Sequence, residues 1–415
     1  MSDSNSHTDG VSRRRFVQAA GASGATYGLA GCIGGGGGGG DGETDQISTE
    51  PPSGQVTVQL ATDSNFQNSA DAIVKTMREN GGLPDNIDLK FLAGSFESGD
   101  RQAKYQQILN AGNKTPTIMM MDNGWTIPFI ARNQLTNLSK ALPDSITSRV
   151  TEDYVDTMVA TATGANGDLY GIPLFADFPT IQYRKDVLRK AGYSDSDFEK
   201  WATEPMKWQE FSKIVTEGRK ALDGMLPSDT TAQGFNWQGK AYVGLACCDF
   251  VEFMGSWGGS YFGKFENLFG PVGDRPITVD EKQVVNAIKM MRTFIYGSDD
   301  PVALDGYEQI SPSKFGKDLG TMPIPYHTSA SESEYGPKIG GSTSALGGWH
   351  LTLNPNATDT KKRAALQVFK ALQNKQVRLD MFEIGGWIPP IPNLIDTEQT
   401  RQLDVIGRYV DTLQV

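Results

Sequence analysis

The sequence is poor in residues that bind metals or form cross-links. Its 415 residues include three cysteines and three histidines, and neither an HExxH nor a CxxC motif occurs. Zinc sites draw on clusters of these residue types at such spacings. We therefore expect no metal site and no cofactor.

An excess of basic residues is also lacking. Lys and Arg number 38 against 49 Asp and Glu, so the formal net charge is -11. Nucleic-acid binding needs clustered Lys and Arg, and this balance argues against it. A strongly acidic surface is compatible with solubility at high salt, where charge repulsion is screened. An origin in a halophilic archaeon is a hypothesis on this ground.

Two of the three cysteines, Cys247 and Cys248, are neighbours. Adjacent cysteines can form a strained vicinal disulfide, but they occur more often as small apolar residues in a packed helix. The second interpretation is favoured here.

The N-terminal residues indicate export and anchoring. Arg13 and Arg14 precede a short, weakly apolar stretch, as in a twin-arginine signal, and the stretch is shorter than the about 20 residues that span a bilayer. Leu-Ala-Gly before Cys32 resembles a lipobox, in which the cysteine becomes lipidated after cleavage. We expect residues 1–31 to be a twin-arginine lipoprotein signal peptide. Lipid on Cys32 would anchor the protein to the extracellular face of the membrane.

Residues 32–53 contain a run of seven glycines, at 34–40, followed by an acidic, Pro-containing stretch. Polyglycine does not favour one conformation, so this segment is predicted to be a tether between the anchor and a globular body.

The body begins with alternating strand and helix patterns, with strands at 55–61, 87–92 and 117–121 and helices at 69–79 and 101–111. This order predicts an α/β fold with helices on both faces of a sheet. Ligands in such sheets bind beyond the carboxyl ends of the strands, which here are residues 62–66, 93–96 and 122–125. Further patterns indicate strands at 181–184 and 345–353. They also indicate helices at 186–191, 208–220, 242–255, 279–296 and 360–372.

Several motifs resemble those of extracellular solute-binding proteins of ABC importers, the group that includes maltose and trehalose binders. They are GDLYGIPLFADFPTIQYRKDVLRKAG, MKWQEF, GGWHL and a GGWIPP ending, in the expected order over roughly residues 54–392. The resemblance implies a type II fold of two α/β lobes that close by a hinge on a ligand in the cleft. The lobes are expected at 54–174 with about 340–392 and at 175–339 with 393–415. The family's block near 306–315 and its C-terminal helices are shorter here, so an incomplete second lobe is expected.

Sugar sites combine aromatic platforms with carboxylates and amides. Asp122 and Trp125 are candidate ligand contacts because they lie at the predicted carboxyl edge of the sheet. Trp349 is a candidate because it lies in the GGW match. The other candidates lie at the first strand's end, at the crossing between the lobes, in a Gly-rich turn and in the GGWIPP segment. These are Asp63, Asn65, Asp177, Trp257 and Trp387. The structural alternatives are core packing for the tryptophans, a helix or turn cap for Asp177, and simple termination of the first strand for Asp63 and Asn65.

The resemblance implies a binding protein that captures an extracellular sugar or oligosaccharide and delivers it to membrane permease subunits, and not an enzyme. Two alternatives stay open. An exported carbohydrate-active enzyme would need two carboxylates flanking one bond, for which Asp122 and Asp177 are the candidates. A ligand sensor would dock on a receptor in place of a permease.

Overall fold

The computed structural model describes residues 46–223, 226, 234–239, 244–269, 272–297, 299–304, 319–403 and 406–414. The predicted signal peptide with Arg13 and Arg14, the lipidation site Cys32 and most of the tether lie outside the described residues. So does the shortened block near 306–315. In the described part of the chain, no helix is both long and apolar enough to cross a membrane.

The chain divides into two compact units. Unit 1 comprises the residues up to Asp177 together with Gly347–Leu394, and unit 2 comprises Phe178–Leu346 and Ile395–Val415. The strands are β1 (Val56–Thr62), β2 (Ile87–Ala93), β3 (Ile118–Asp122), β4 (Gly171–Asp177), β5 (Ile181–Arg184), β6 (Leu319–Met322) and β7 (Gly347–Leu353).

A helix lies at or overlaps each predicted helical segment, and the structure has further helices that the sequence patterns did not predict. In chain order they are α1 (Ser64–Asn68), α2 (Ala70–Glu79), α3 (Ser98–Asn110), α4 (Asn123–Ala131), α5 (Leu138–Ala141), α6 (Asp144–Asp153), α7 (Asp156–Ala160), α8 (Lys185–Lys190), α9 (Asp195–Thr203), α10 (Trp208–Ala221), α11 (Phe250–Ser256), α12 (Lys282–Tyr296), α13 (Asp359–Ala371), α14 (Lys375–Gly385) and α15 (Glu398–Gln402).

Unit 1 is built on a five-stranded sheet in the order β2-β1-β3-β7-β4. β1 runs parallel to β2 and β3, whereas β7 is antiparallel to both β3 and β4. Consecutive residues of β3 belong to different cores, because Met120 packs in the large aliphatic cluster and Met119 and Met121 in a second cluster. Both faces of the sheet are therefore covered, which explains the unbroken apolar run at 118–121.

Unit 2 has a two-stranded antiparallel sheet of β5 and β6, and most of its core comes from aromatic side chains. Trp208 is the centre of this core, 1% exposed, and its ring stacks on Phe253 at 5.4 Å between centroids. Its indole N–H donates to Ser256 Oγ at 2.9 Å, so the one polar atom of the buried ring is satisfied.

Helix α12 begins later than the sequence pattern indicates. The pattern predicts a start at 279 with Asp280 in the first turn, but the helix begins at Lys282 after an extended Glu281. Thr278 is the physical reason, because its hydroxyl donates to the Ser260 carbonyl at 2.6 Å and accepts from Gly263 N–H at 3.0 Å. These bonds fix the preceding residues to another loop.

The helix predicted at 242–255 is described from residue 244, as a π-helical turn, Leu245–Asp249, that continues into α11. Cys247 and Cys248 lie in this turn as free thiols with their sulfurs 3.5 Å apart. The interpretation as packed apolar residues was wrong, because Cys247 is exposed and no residue of the turn is buried. A π turn rotates side chains out of the register that a regular helix would give.

Candidate functional site

Three aspartates end strands at one edge of the unit 1 sheet. Asp63 follows β1, Asp122 ends β3 and Asp177 ends β4. Since β4 and β3 are each antiparallel to β7, all three strands point the same way, and their carboxyl ends share an edge. Trp349, near the start of β7, pairs with Asp122 and with Phe175. We call Asp63, Asp122, Asp177 and Trp349 the edge cluster.

Two of these carboxylates also act as helix caps. Asp63 accepts from Phe66 N–H at 2.8 Å at the start of α1, and Asp122 accepts from Gly124 N–H at 2.8 Å at the start of α4. The second oxygen of Asp122 accepts from the Ser98 hydroxyl at 2.7 Å. Asp63 and Asp122 are thus helix caps, a role that the sequence had suggested for Asp177 and not for these two residues.

Arg101 is the cation of the edge cluster and was missed by sequence reasoning. It is 2% exposed, forms an ion pair with Asp63 at 3.3 Å and donates to the Ser95 carbonyl at 3.1 Å. Its guanidinium lies 4.2 Å from the centroid of the Trp349 ring, a cation–π contact. In the part of the chain that the structure describes, its Nε and second terminal nitrogen have no hydrogen-bond partner.

Asp177 differs from the other two carboxylates, because its side chain reaches solvent and no backbone amide caps it. Partial burial and the negative charges of Asp122 and Asp63 raise its pKa to about 6, against an opposing hydrogen bond from Trp349. A carboxyl of this kind accepts hydrogen bonds when ionised and can donate one when protonated.

The tryptophan candidates are not equivalent. Trp349 and Trp387 are half-buried, and both rings contact Phe175, at 6.4 and 6.3 Å. Trp125 is 8% exposed and donates from its indole N–H to Ser98 Oγ at 2.8 Å, which links it to Asp122. Trp125 thus supports the edge cluster from the core.

Asn65 and Trp257 do not join the edge cluster in the described contacts. Asn65 is an exposed residue of α1. Trp257 lies in unit 2, where it ends α11, is 6% exposed and stacks on His327 at 3.7 Å. Core packing therefore accounts for Trp257, and its ligand contact stays a prediction.

A sequence signal for Arg101 did exist. It lies in the first turns of α3, where the helix dipole disfavours a cation. A basic residue in that place indicates a partner outside its own helix. Ser98 carried no comparable signal, since serine is common at helix starts.

Comparison with known proteins assigns the family. The family model described as bacterial extracellular solute-binding protein matches residues 72–403. The chain belongs to this family. A probable ABC transporter-binding protein of Deinococcus radiodurans is 30% identical over 286 residues, which are 65% of this chain and 61% of that relative. The chain thus spans about three fifths of the relative's length.

Solved structures share the fold. T. maritima MalE3 with bound maltose matches with a TM-score of 0.63 and 21% identity, over 86% of this chain and 88% of that one. A solute-binding protein of Agrobacterium radiobacter K84 in complex with ribitol matches with a TM-score of 0.62 and 16% identity, over 88% of each chain. The predicted α/β, two-lobed type II fold of this family is confirmed. The family description denotes solute-binding proteins, and the ribitol complex is likewise named a solute-binding protein.

Proposed function

We propose that this family member is the substrate-binding lipoprotein of an ABC transporter, which captures an extracellular carbohydrate and delivers it to a membrane permease. The observation that carries the proposal is the edge cluster, where Asp177 and Trp349 lie together at the carboxyl end of the sheet. That edge is where open α/β sheets bind ligands.

The edge cluster offers the groups that a polyhydroxylated ligand needs. Asp177 is the carboxylate without a capping amide, so it can accept from sugar hydroxyls. Buried Arg101 holds Asp63 and Trp349 in position within the cluster. Because the guanidinium covers one face of Trp349, that ring can offer a ligand its other face or its edge.

The solutes named for the similar structures, maltose and ribitol, are both polyhydroxylated. They support a sugar or polyol for this chain. Asn65, Trp257 and Trp387 are further ligand contacts in this proposal.

Export through the twin-arginine signal at Arg13 and Arg14, with lipid on Cys32, would place the protein on the extracellular face of the membrane. Lipid on one cysteine and the glycine-rich tether would keep the body close to the permease.

An exported hydrolase is less well supported than a binding protein. A glycosidase needs two carboxylates that are free to act on one bond. Both oxygens of Asp122 accept hydrogen bonds from Gly124 and Ser98, and Asp63 is held by Phe66 and Arg101. Among the described residues, Asp177 alone of the three accepts no hydrogen bond from a backbone amide, and its one side-chain partner is Trp349. A ligand sensor uses the same binding step and differs in the docking partner.

Binding tests the proposal directly. We expect at least one sugar or polyol, screened in high salt, to raise the melting temperature. At a ligand concentration of a hundred times Kd, binding adds about 2.7 kcal/mol to the free energy of unfolding. Asp177→Asn should weaken that ligand about tenfold by calorimetry, since it removes a charged acceptor.

Asp85→Asn, an exposed aspartate of unit 1, is the matched control and should bind as the wild type does. A panel of sugars and polyols without any shift would contradict the carbohydrate class. Equal affinity in Asp177→Asn would show that the edge cluster is not where the ligand sits.

A further inference from the structure

Unit 2 contains a cavity of about 120 Å³ with aromatic walls and two acidic side chains. Its lining includes Trp208, Trp237 and Phe253, and the Phe253 ring lies 5.4 Å from each of the two tryptophan rings, measured between centroids. Asp249 and Glu252, one from the π turn and one from α11, line the same cavity. Complete small-molecule pockets have about 300 Å³ or more, so this one has room for a single small group.

Among the described residues, Glu252 forms no ion pair. It is 8% exposed, and the one hydrogen bond that its side chain makes to a described residue is accepted from Ala345 N–H at 3.1 Å. Asp249 accepts from Gln238 N–H at 2.9 Å. Of the lining residues that the structure describes, none is Lys or Arg. Buried carboxylates are normally paired, so this arrangement leaves a place for a cation.

We propose that this cavity binds an alkylammonium group, supplied either by a free amine or by an amino sugar. Carboxylates provide the charge, and the faces of the aromatic rings attract cations as well. The proposal concerns unit 2 alone and does not depend on the carbohydrate proposal for unit 1.

Ionisation of the two carboxyl groups in this cavity is costly, and an ammonium ligand would lower that cost. Burial, with a smaller contribution from Asp249, raises the pKa of Glu252 to about 7, and burial also raises the pKa of Asp249. A bound cation would favour the ionised form of both groups. A neutral hydroxyl group would not provide this charge, which is why an ammonium group fits the cavity better.

Pairs of probes that differ in charge test the proposal on the full chain. Choline is compared with its tert-butyl analogue, in which carbon replaces the quaternary nitrogen, and glucosamine is compared with glucose. Calorimetry at pH 7.5 should show at least one ammonium probe binding about tenfold or more tightly than its neutral counterpart. Binding of choline alone identifies a free amine as the source, and binding of glucosamine alone identifies an amino sugar.

Substitutions locate the binding. Glu252→Gln keeps the size of the side chain and an acceptor for Ala345, and should weaken the ammonium probe about tenfold. Glu199→Gln, at an exposed position of α9, is the matched control and should have no effect. If Glu252→Gln does not fold, Asp249→Asn provides the same measurement. Equal affinity for charged and neutral probes, no binding of either ammonium probe, or equal losses in the control would overturn the proposal.

Discussion

Arg378 of unit 1 and Glu252 of unit 2 are buried charged side chains with different numbers of hydrogen bonds. In unit 1, Arg378 is 2% exposed, and its guanidinium donates to the carbonyls of Leu372, Leu174 and Pro173 and to the Tyr154 hydroxyl. In unit 2, Glu252 is nearly as buried but accepts a single hydrogen bond. A buried charge with several hydrogen bonds supports the fold, whereas a buried charge with a single one lowers stability and is more typical of a binding site.

The largest expected effect tests the satisfied charge. Arg378→Met should lower the free energy of unfolding by about 3–5 kcal/mol, because the carbonyls of β4 lose their donors in a buried place. Urea denaturation measures this loss. Arg363→Met removes an arginine that donates to the Glu50 and Pro51 carbonyls near the surface, and should cost much less. If both variants lose the same free energy of unfolding, the burial of Arg378 adds nothing to the stability that a surface arginine provides.

A second expected effect concerns His350 in β7, which is fully buried with Nε2 2.9 Å from the Thr161 hydroxyl. Burial lowers its pKa from 6.5 to about 3. The unfolded chain takes up a proton below pH 6.5, whereas the folded chain does so near pH 3. The free energy of unfolding therefore decreases as the pH is lowered from 6.5 toward 3. His350 contributes about 1.4 kcal/mol of this decrease per pH unit.

His350→Gln should flatten that slope in urea denaturation between pH 7.5 and pH 5. His327→Gln is the control from unit 2. His327 also has a lowered pKa, through burial and the nearby Lys207, but it is half-buried, so its substitution should change the slope less. An unchanged slope in His350→Gln would contradict the assignment.

The same contrast explains how much could be predicted from the sequence. The strands β1, β2 and β3 could be predicted because side chains on a covered sheet must be apolar where they are buried. Burial therefore leaves a local pattern of apolar residues in the sequence. The position of Asp122 and Trp125 at the sheet edge followed from the carboxyl-end rule without any contact information. Such local signals are strongest in unit 1, where the sheet organises the core.

The residues that were missed depend on contacts between distant parts of the chain. Arg101 reaches Trp349 across about 250 positions of sequence, and Ala345 reaches Glu252. No periodicity encodes such pairs. The late start of α12 has the same origin, since Thr278 bonds to the loop at Ser260. In unit 2 a long-range loop contact overrode a local helix signal.

The smallest expected effect compares two carboxylates whose pKa is raised, Glu252 to about 7 and Asp177 to about 6. A carboxyl whose pKa is higher in the folded state than in the unfolded state lowers the free energy of unfolding as the pH rises between these two pKa values. The unfolded chain releases the proton in this range, whereas the folded chain still holds it. At pH 8, Glu252→Gln should therefore stabilise the protein by about 1–3 kcal/mol, and the gain should vanish toward pH 4.5. Thermal or urea unfolding across this range measures it.

Asp177→Asn should stabilise the protein by less than Glu252→Gln, because solvent screens the charge of an exposed carboxyl. A larger gain from Asp177→Asn than from Glu252→Gln would reverse the comparison and make the edge of unit 1 the more strained charge site. A loss of stability in Glu252→Gln at pH 8 would mean that its negative charge is already compensated. That result would also remove the reason for a cation in the cavity.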